Sequence, residues 1–152
     1  MRAGYVVLVL IAAIATAALA QTPNAPPPAP PPPLPSITLP PELDRVLRDY
    51  ERHWRAGDEQ ALATLFTADG FVPTRSAWVR GSEGIRKTYE SFSGDLRLRA
   101  LAYATGDTVG YIVGAYRYGD GGNDGGKFVL ALRRAPGGPW LIAADIDQSN
   151  RP

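Results

Sequence analysis

Apolar residues first fall into a regular pattern at Leu43, Val46, Leu47, Tyr50 and Trp54. Steps of three and four residues place them on one face of a helix. Pro40 and Pro41 suit its first turn, where a missing N–H costs nothing, and Gly57 suits its end. Asp58 is a candidate cap for a second, short helix through Phe66, with Ala61, Leu62, Leu65 and Phe66 as its apolar face. The stretch TADG at 67–70 predicts a turn into a short strand at Phe71 and Val72, followed by a loop and the segment AWVRG. GSEGIRKTYESF then predicts a third helix, with Ser82 as its cap and Ile85, Tyr89 and Phe92 facing inward.

After Asp95 the period changes from helical to extended. Four strands are predicted at 96–105, 108–118, 127–134 and 140–148, separated by GD, GDGGNDGG and APGG, all turn compositions. Connections this short imply an antiparallel meander. Helices followed by such a sheet define an α+β domain of about three N-terminal helices packed on a curved antiparallel sheet. The expected shape is a cone open at one end.

The ends of the chain differ in kind from this core. Residues 1–20, MRAGYVVLVLIAAIATAALA, predict an export signal: Arg2, an apolar run, then Ala18-Leu19-Ala20 as a small-residue cleavage site. The competing reading is an uncleaved anchor, since the run is at the lower limit of a spanning helix, and only then does the protein touch a membrane. Both readings put the domain outside the cytoplasm, periplasmic or secreted. Residues 21–39 form a proline-rich linker, and 21–41 hold eleven prolines and no charge. In the polyproline II form 21–41 span ~65 Å. Such a segment is a stiff spacer or, alternatively, a ligand for a proline-binding groove. The folded domain is expected over 40–150.

Composition narrows the chemistry. There is no cysteine, which excludes disulfides, thiolate metal sites and a cysteine nucleophile, and a single histidine leaves a transition metal little to bind. The formal net charge of +1 and the lack of a basic stripe argue against nucleic acid as a partner. No cofactor-binding motif is present, and GDGGNDGG reads as a flexible hairpin loop and not as a calcium site.

Several stretches resemble the nuclear transport factor 2-like superfamily, and within it the SnoaL-like and ketosteroid-isomerase-like branch. They are RAGDEQALATLFTADGFV, VRGSEGIRKTYESF, GKFVLALRR and PWLIAADIDQSN. The strongest marks are Ala56, Gly57 and Asp58, the Leu65-Phe66 pair followed by Asp69, and Gly81 with Ile85. The resemblance implies a fold shared by isomerases, dehydratases, cyclases and non-catalytic binding modules, so it assigns no reaction. Steroid isomerases of this fold use a tyrosine seven residues before the glycine of the AGD turn, and Tyr50 stands there. Their proton-moving aspartate matches the neighbourhood of Pro73 and Thr74, and their oxyanion-binding aspartate matches Leu130 or Ala131. Neither carboxylate is present, which argues against steroid-type isomerisation.

The candidate ligand-binding residues are Tyr50, His53, Trp54, Tyr89 and Asp145, with His53 and Asp145 as the candidate catalytic groups. His53 lies one turn from Tyr50, at the edge of the apolar helix face, either as an acid–base group or as a half-covered structural histidine. Asp145 and Asp147, two apart on a strand, share a face about 6.5–7 Å apart with Leu141 and Ala143 before them. This describes a pocket wall with an acidic end, or a strand leaving the core for water. Arg97, Arg99, Arg133 and Arg134 are solvated sheet-edge arginines, or partners for that acidic pair or for an anion. Gly110 and Gly114 make room on a curved sheet or mark bends. A surplus of buried-type aromatics (Tyr50, Trp54, Phe71, Trp78, Tyr89 and Phe92) points first to an apolar pocket that binds a small hydrophobic molecule. The alternatives are a lyase or isomerase acting on a cyclic or polyketide-like substrate, and a homodimeric interaction module using the open sheet face.

Overall fold

The structure, a computed structural model, describes residues 32–150. The predicted export signal and most of the proline-rich linker lie outside the described residues. Helix α1 spans Pro41–Ala56 and ends at Gly57, whose φ of 64° lets its N–H turn back to the carbonyls of His53 and Trp54. Asp58 then caps α2 (Glu59–Ala63) by accepting the Ala61 N–H at 2.8 Å.

The remaining elements are β1 (Phe66–Pro73), β2 (Trp78–Arg80), α3 (Ser82–Tyr89), β3 (Leu96–Thr105), β4 (Val109–Tyr118), β5 (Gly126–Arg133) and β6 (Leu141–Ser149). The six strands form one sheet in the order β2-β1-β6-β5-β4-β3. The described residues are thus an α+β domain, and the four predicted meander strands appear within a residue or so of their expected bounds. Among them, no helix is long and apolar enough to cross a membrane.

The sheet departs from the predicted antiparallel one at a single seam, since β1 lies parallel to β6. That seam also explains why the second helix is shorter, and the first strand longer, than periodicity predicts. The Ile142 N–H donates to the Leu65 carbonyl at 2.8 Å, and Phe66 pairs with Ile142. A partner that far along the chain draws Leu65 and Phe66 out of the helix. The predicted turn TADG lies inside β1, where five residues of β1 advance against two of β6 between the Phe66 and Phe71 pairs.

Two further corrections concern α3. Gly81, with φ 86°, takes the cap position and Ser82 is the first helical residue, with no side-chain cap hydrogen bond. The helix stops at Tyr89, so Phe92 falls beyond it and is 54% exposed. Phe71 and Trp78 are also exposed and do not join the core, which leaves Tyr50, Trp54 and partly buried Tyr89 as the inward aromatics of the predicted six.

The core lies between α1 and the inner sheet face, with Leu43, Val46 and Leu47 against Ile112, Leu130 and Ile142. A buried carboxylate fastens this layer. Glu51 accepts the Leu98 N–H at 2.6 Å and is gripped by Arg48, whose second nitrogen donates to the Leu98 carbonyl. Ahead of α1, the described part of the linker follows the edge of β3. The Ile37 N–H donates to the Ala100 carbonyl, and Arg99 holds the Leu34 carbonyl at 2.7 Å.

Candidate functional site

Beyond the core, the inner face of the sheet and the C-terminal part of α1 enclose a cavity of about 320 Å³. Helix periodicity carries Tyr50 and Trp54 onto it from α1, and α3 supplies Thr88 and Tyr89. The sheet supplies Leu98, Tyr116, Phe128, Leu130, Asp145 and Asp147, among others.

Cross-strand register explains why these residues meet. Leu130 pairs with Asp145 and Phe128 with Asp147, so each acid stands beside a buried apolar side chain of β5. The β5–β6 register slips between Ala131 and Leu132: Ala131 pairs with Ala144, and Leu132 with Ile142. That bulge at Ala143 breaks the alternation along β6, so fully buried Ile142 and buried Asp145 both turn inward although they are three residues apart. The acidic pair therefore shares its face with Ile142, and not with the expected Leu141 and Ala143.

Glycines open space for two wall side chains. Gly114 pairs with Phe128, and a Cβ at Gly114 would run into the Phe128 ring and the Arg99 carbonyl. Gly126 pairs with Tyr116 and lies under its ring in the same way. Gly114 thus serves the cavity wall, whereas Gly110 is packed against Ala104 and Thr105 of β3.

The polar centre of the cavity is a triangle of oxygens. The Tyr50 hydroxyl is 2.9 Å and the Tyr89 hydroxyl 3.1 Å from the same carboxyl oxygen, Asp145 Oδ2, and the two hydroxyls are 3.1 Å apart. With Asp145 ionised, two phenol protons can fill at most two of these three contacts. With Asp145 protonated, three O–H groups can fill all three in a ring.

Burial moves Asp145 towards the protonated state, which becomes the major one below about pH 6. Burial raises the Asp145 pKa to about 6; the Tyr50 and Tyr89 hydrogen bonds pull it down, and the nearby Asp147 charge pushes it up. Burial is also the main cause that holds both phenols well above their ordinary range, so they stay donors. Asp147 is exposed as a residue, yet its carboxyl is sufficiently desolvated to be raised too.

Of the sequence candidates, Tyr50, Trp54, Tyr89 and Asp145 are brought together on one cavity, and three of them share one hydrogen-bonded group. His53 is partly buried and is not among the lining residues. The arginines pair away from the acidic residues of the cavity: Arg97 with Asp95 and Asp120, Arg99 with Asp124, and Arg133 with Asp69. Arg134 stacks on the Trp140 ring at 4.3 Å. Among the described residues no group of three or more potential ligands comes together to hold a metal ion. Glu51 escaped sequence reasoning, because its partner Leu98 is distant in the chain and no local pattern marks it.

The described residues form an α+β domain with a cavity on the inner face of its sheet, and solved structures show which fold this is. Neither a protein-family model nor a curated protein matches the sequence. A ketosteroid isomerase-like protein from Erwinia carotovora atroseptica is 15% identical, with a TM-score of 0.58 over 72% of this chain and 94% of its own. A nuclear transport factor 2-like protein of unknown function from Shewanella oneidensis is 16% identical, with a TM-score of 0.58 over 70% and 95%. A scytalone dehydratase-like protein from Novosphingobium aromaticivorans is 19% identical, with a TM-score of 0.56 over 72% and 82%. The chain has the nuclear transport factor 2-like fold. Of the positions matched by the resemblance, the neighbourhood of Pro73 and Thr74 and then Leu130 or Ala131, Pro73 and Leu130 line the cavity, and none of the four is a carboxylate. The buried carboxyl stands one strand over, on β6, opposite Leu130.

Proposed function

We infer that the domain binds a small, largely apolar molecule in the cavity between α1 and the sheet, with one polar group of that molecule directed at Asp145. The observation that supports this is the Tyr50–Asp145–Tyr89 triangle set among aromatic and aliphatic side chains such as Trp54, Leu98, Phe128 and Leu130. Burying a carboxyl is costly, and a few convergent polar groups in an apolar pocket are what orients a small ligand. A protonated Asp145 offers that ligand a donor, and an ionised one offers an acceptor.

A second reading, a lyase or isomerase, has one specific support. An acid whose pKa lies near 6 can hold or release a proton close to neutral pH, and general acid–base catalysis needs that match. Asp145 would carry the proton, while Tyr50 and Tyr89 stabilise its charged form. Similarity to isomerase-like and dehydratase-like structures is compatible with both readings and selects neither.

Export of the domain on its proline-rich tether belongs to the same proposal. It rests on the charge and apolar pattern of residues 1–20. N-terminal sequencing of the mature protein checks it, and an intact leader on soluble, released protein would count against it.

The binding reading is tested by native mass spectrometry of gently purified protein, alongside titration with small apolar ring compounds followed by Trp54 fluorescence. A co-purified mass that leaves on denaturation, or saturable quenching lost in Leu130→Arg, is the expected result. A bare polypeptide mass together with no saturable binding overturns it.

A further inference from the structure

The cavity wall is one-sided in charge. It carries the carboxyls of Asp145 and Asp147 and no lysine, arginine or histidine. The arginines of neighbouring β3 are engaged elsewhere, Arg97 with Asp95 and Asp120 and Arg99 with Asp124. An anionic ligand would meet two carboxyls and no counter-charge. A neutral apolar ligand would strip water from Asp147, which forms no ion pair with a described residue, and would offer nothing in return.

The ring content of the wall favours the opposite sign. Phe92, Trp54, Tyr118 and Tyr116 form a connected series, with successive centroids 5.5, 6.5 and 6.3 Å apart, and all four line the cavity. Phe92 and Tyr118 are 54% and 53% exposed, large rings kept at the opening instead of in the core. Asp147 lines the same cavity as these rings, and its charge acts on the Tyr118 hydroxyl. Aromatic faces attract cations through their quadrupoles, most effectively when the cation is poorly hydrated, as a substituted ammonium is.

We propose that the cavity takes an organic cation, a molecule with an apolar, ring-sized body and a substituted ammonium head held by Trp54, Phe92 and Tyr118 with Asp147 as its counter-charge. This rests on the pocket reading above and adds the charge of the ligand.

The test compares phenyltrimethylammonium with tert-butylbenzene, which share a shape and differ by one positive charge. Benzenesulfonate serves as the anion. Binding to the full chain, and to its Asp147→Asn variant, is read by calorimetry and Trp54 fluorescence. The cation is expected to bind about tenfold more tightly than its neutral twin. The anion is expected not to bind, and D147N should bring cation and neutral twin close together. Equal or tighter binding of tert-butylbenzene to the wild-type chain overturns the cation assignment and leaves the pocket reading standing. Binding of none of the three overturns the cation assignment, and together with a bare polypeptide mass it overturns the pocket reading as well. An unchanged cation preference in folded D147N overturns the role given to Asp147.

Discussion

Tyr50 on the first helix and Asp145 on the last strand, ninety-five residues apart, meet through a 2.9 Å hydrogen bond that closes the helix layer onto the sheet at the cavity. Tyr89 joins the same carboxyl oxygen from α3. Three separate elements therefore converge on one proton-holding group, and its ionisation is tied to the stability of the fold.

The first expectation concerns pH. The folded Asp145 pKa of about 6 lies above its ordinary 3.8, so between these values the folded chain keeps a proton that the unfolded chain has lost. Stability from this group is present below pH 4 and is lost as pH rises towards 6. A shift of that size corresponds to about 3 kcal/mol. Asp145→Asn, which cannot ionise, should therefore gain about 3 kcal/mol relative to wild type between pH 4 and pH 7. Chemical denaturation of both proteins across that range checks it, and parallel stability curves would show that Asp145 is not perturbed.

Removing the phenol hydroxyls moves the same group in a known direction. Both hydrogen bonds favour the charged carboxylate, that of Tyr50 more than that of Tyr89. Tyr50→Phe and Tyr89→Phe should each raise the Asp145 pKa above its wild-type value, Tyr50→Phe by the larger amount. Each should also cost about 1–2 kcal/mol at pH 7. A carboxyl carbon titration by NMR reads the order directly; a lowered value in either variant contradicts the triangle.

Packing beneath the cavity wall gives a steric expectation. Gly114 lies under the Phe128 ring, so Gly114→Ala must displace that ring or the Arg99 carbonyl. A loss of about 1–3 kcal/mol is expected, with altered ligand affinity because Phe128 lines the cavity. Gly121 is the control, because a Cβ there would meet open space and its φ is not positive. Gly121→Ala should leave the melting temperature unchanged. Equal effects of the two substitutions would rule out the packing account.

The Glu51 clamp is a separate element of stability. Glu51→Ala leaves the Leu98 N–H without its acceptor and frees Arg48. A cost of about 1–3 kcal/mol is expected. Hydrogen exchange at the Leu98 amide should rise beyond what the global loss explains, and unchanged local protection would argue against the clamp.

Most of the fold was legible in the chain. The three- and four-residue steps from Leu43 to Trp54, the stop at Gly57, the cap at Asp58 and the four late strands are local signals, set by backbone chemistry and periodicity. The same periodicity marked Tyr50, Trp54 and Tyr89 as inward, and the spacing of Asp145 and Asp147 marked one acidic face. Where local pattern failed, a distant partner had intervened. Ile142 drew Leu65 and Phe66 out of the helix, Phe66 into β1, and the end of α3 at Tyr89 left Phe92 at the cavity opening instead of in the core. His53 shows the limit from the other side, since its chemistry stood out in the sequence while one helical step decided that it would not line the cavity.

What the sequence determined alone is therefore the identity and order of the three helices, the first strand and the four late strands, but not of β2, because hydrogen-bonding geometry and side-chain period act over a few residues. Only the tertiary structure decided that Tyr50, Tyr89 and Asp145 would share one oxygen. That meeting depends on a bulge at Ala143 that reverses the alternation of β6, and on the pairing of Leu130 with Asp145 across strands. Register between strands is settled by the packing of the whole inner face, which no single stretch of the chain contains.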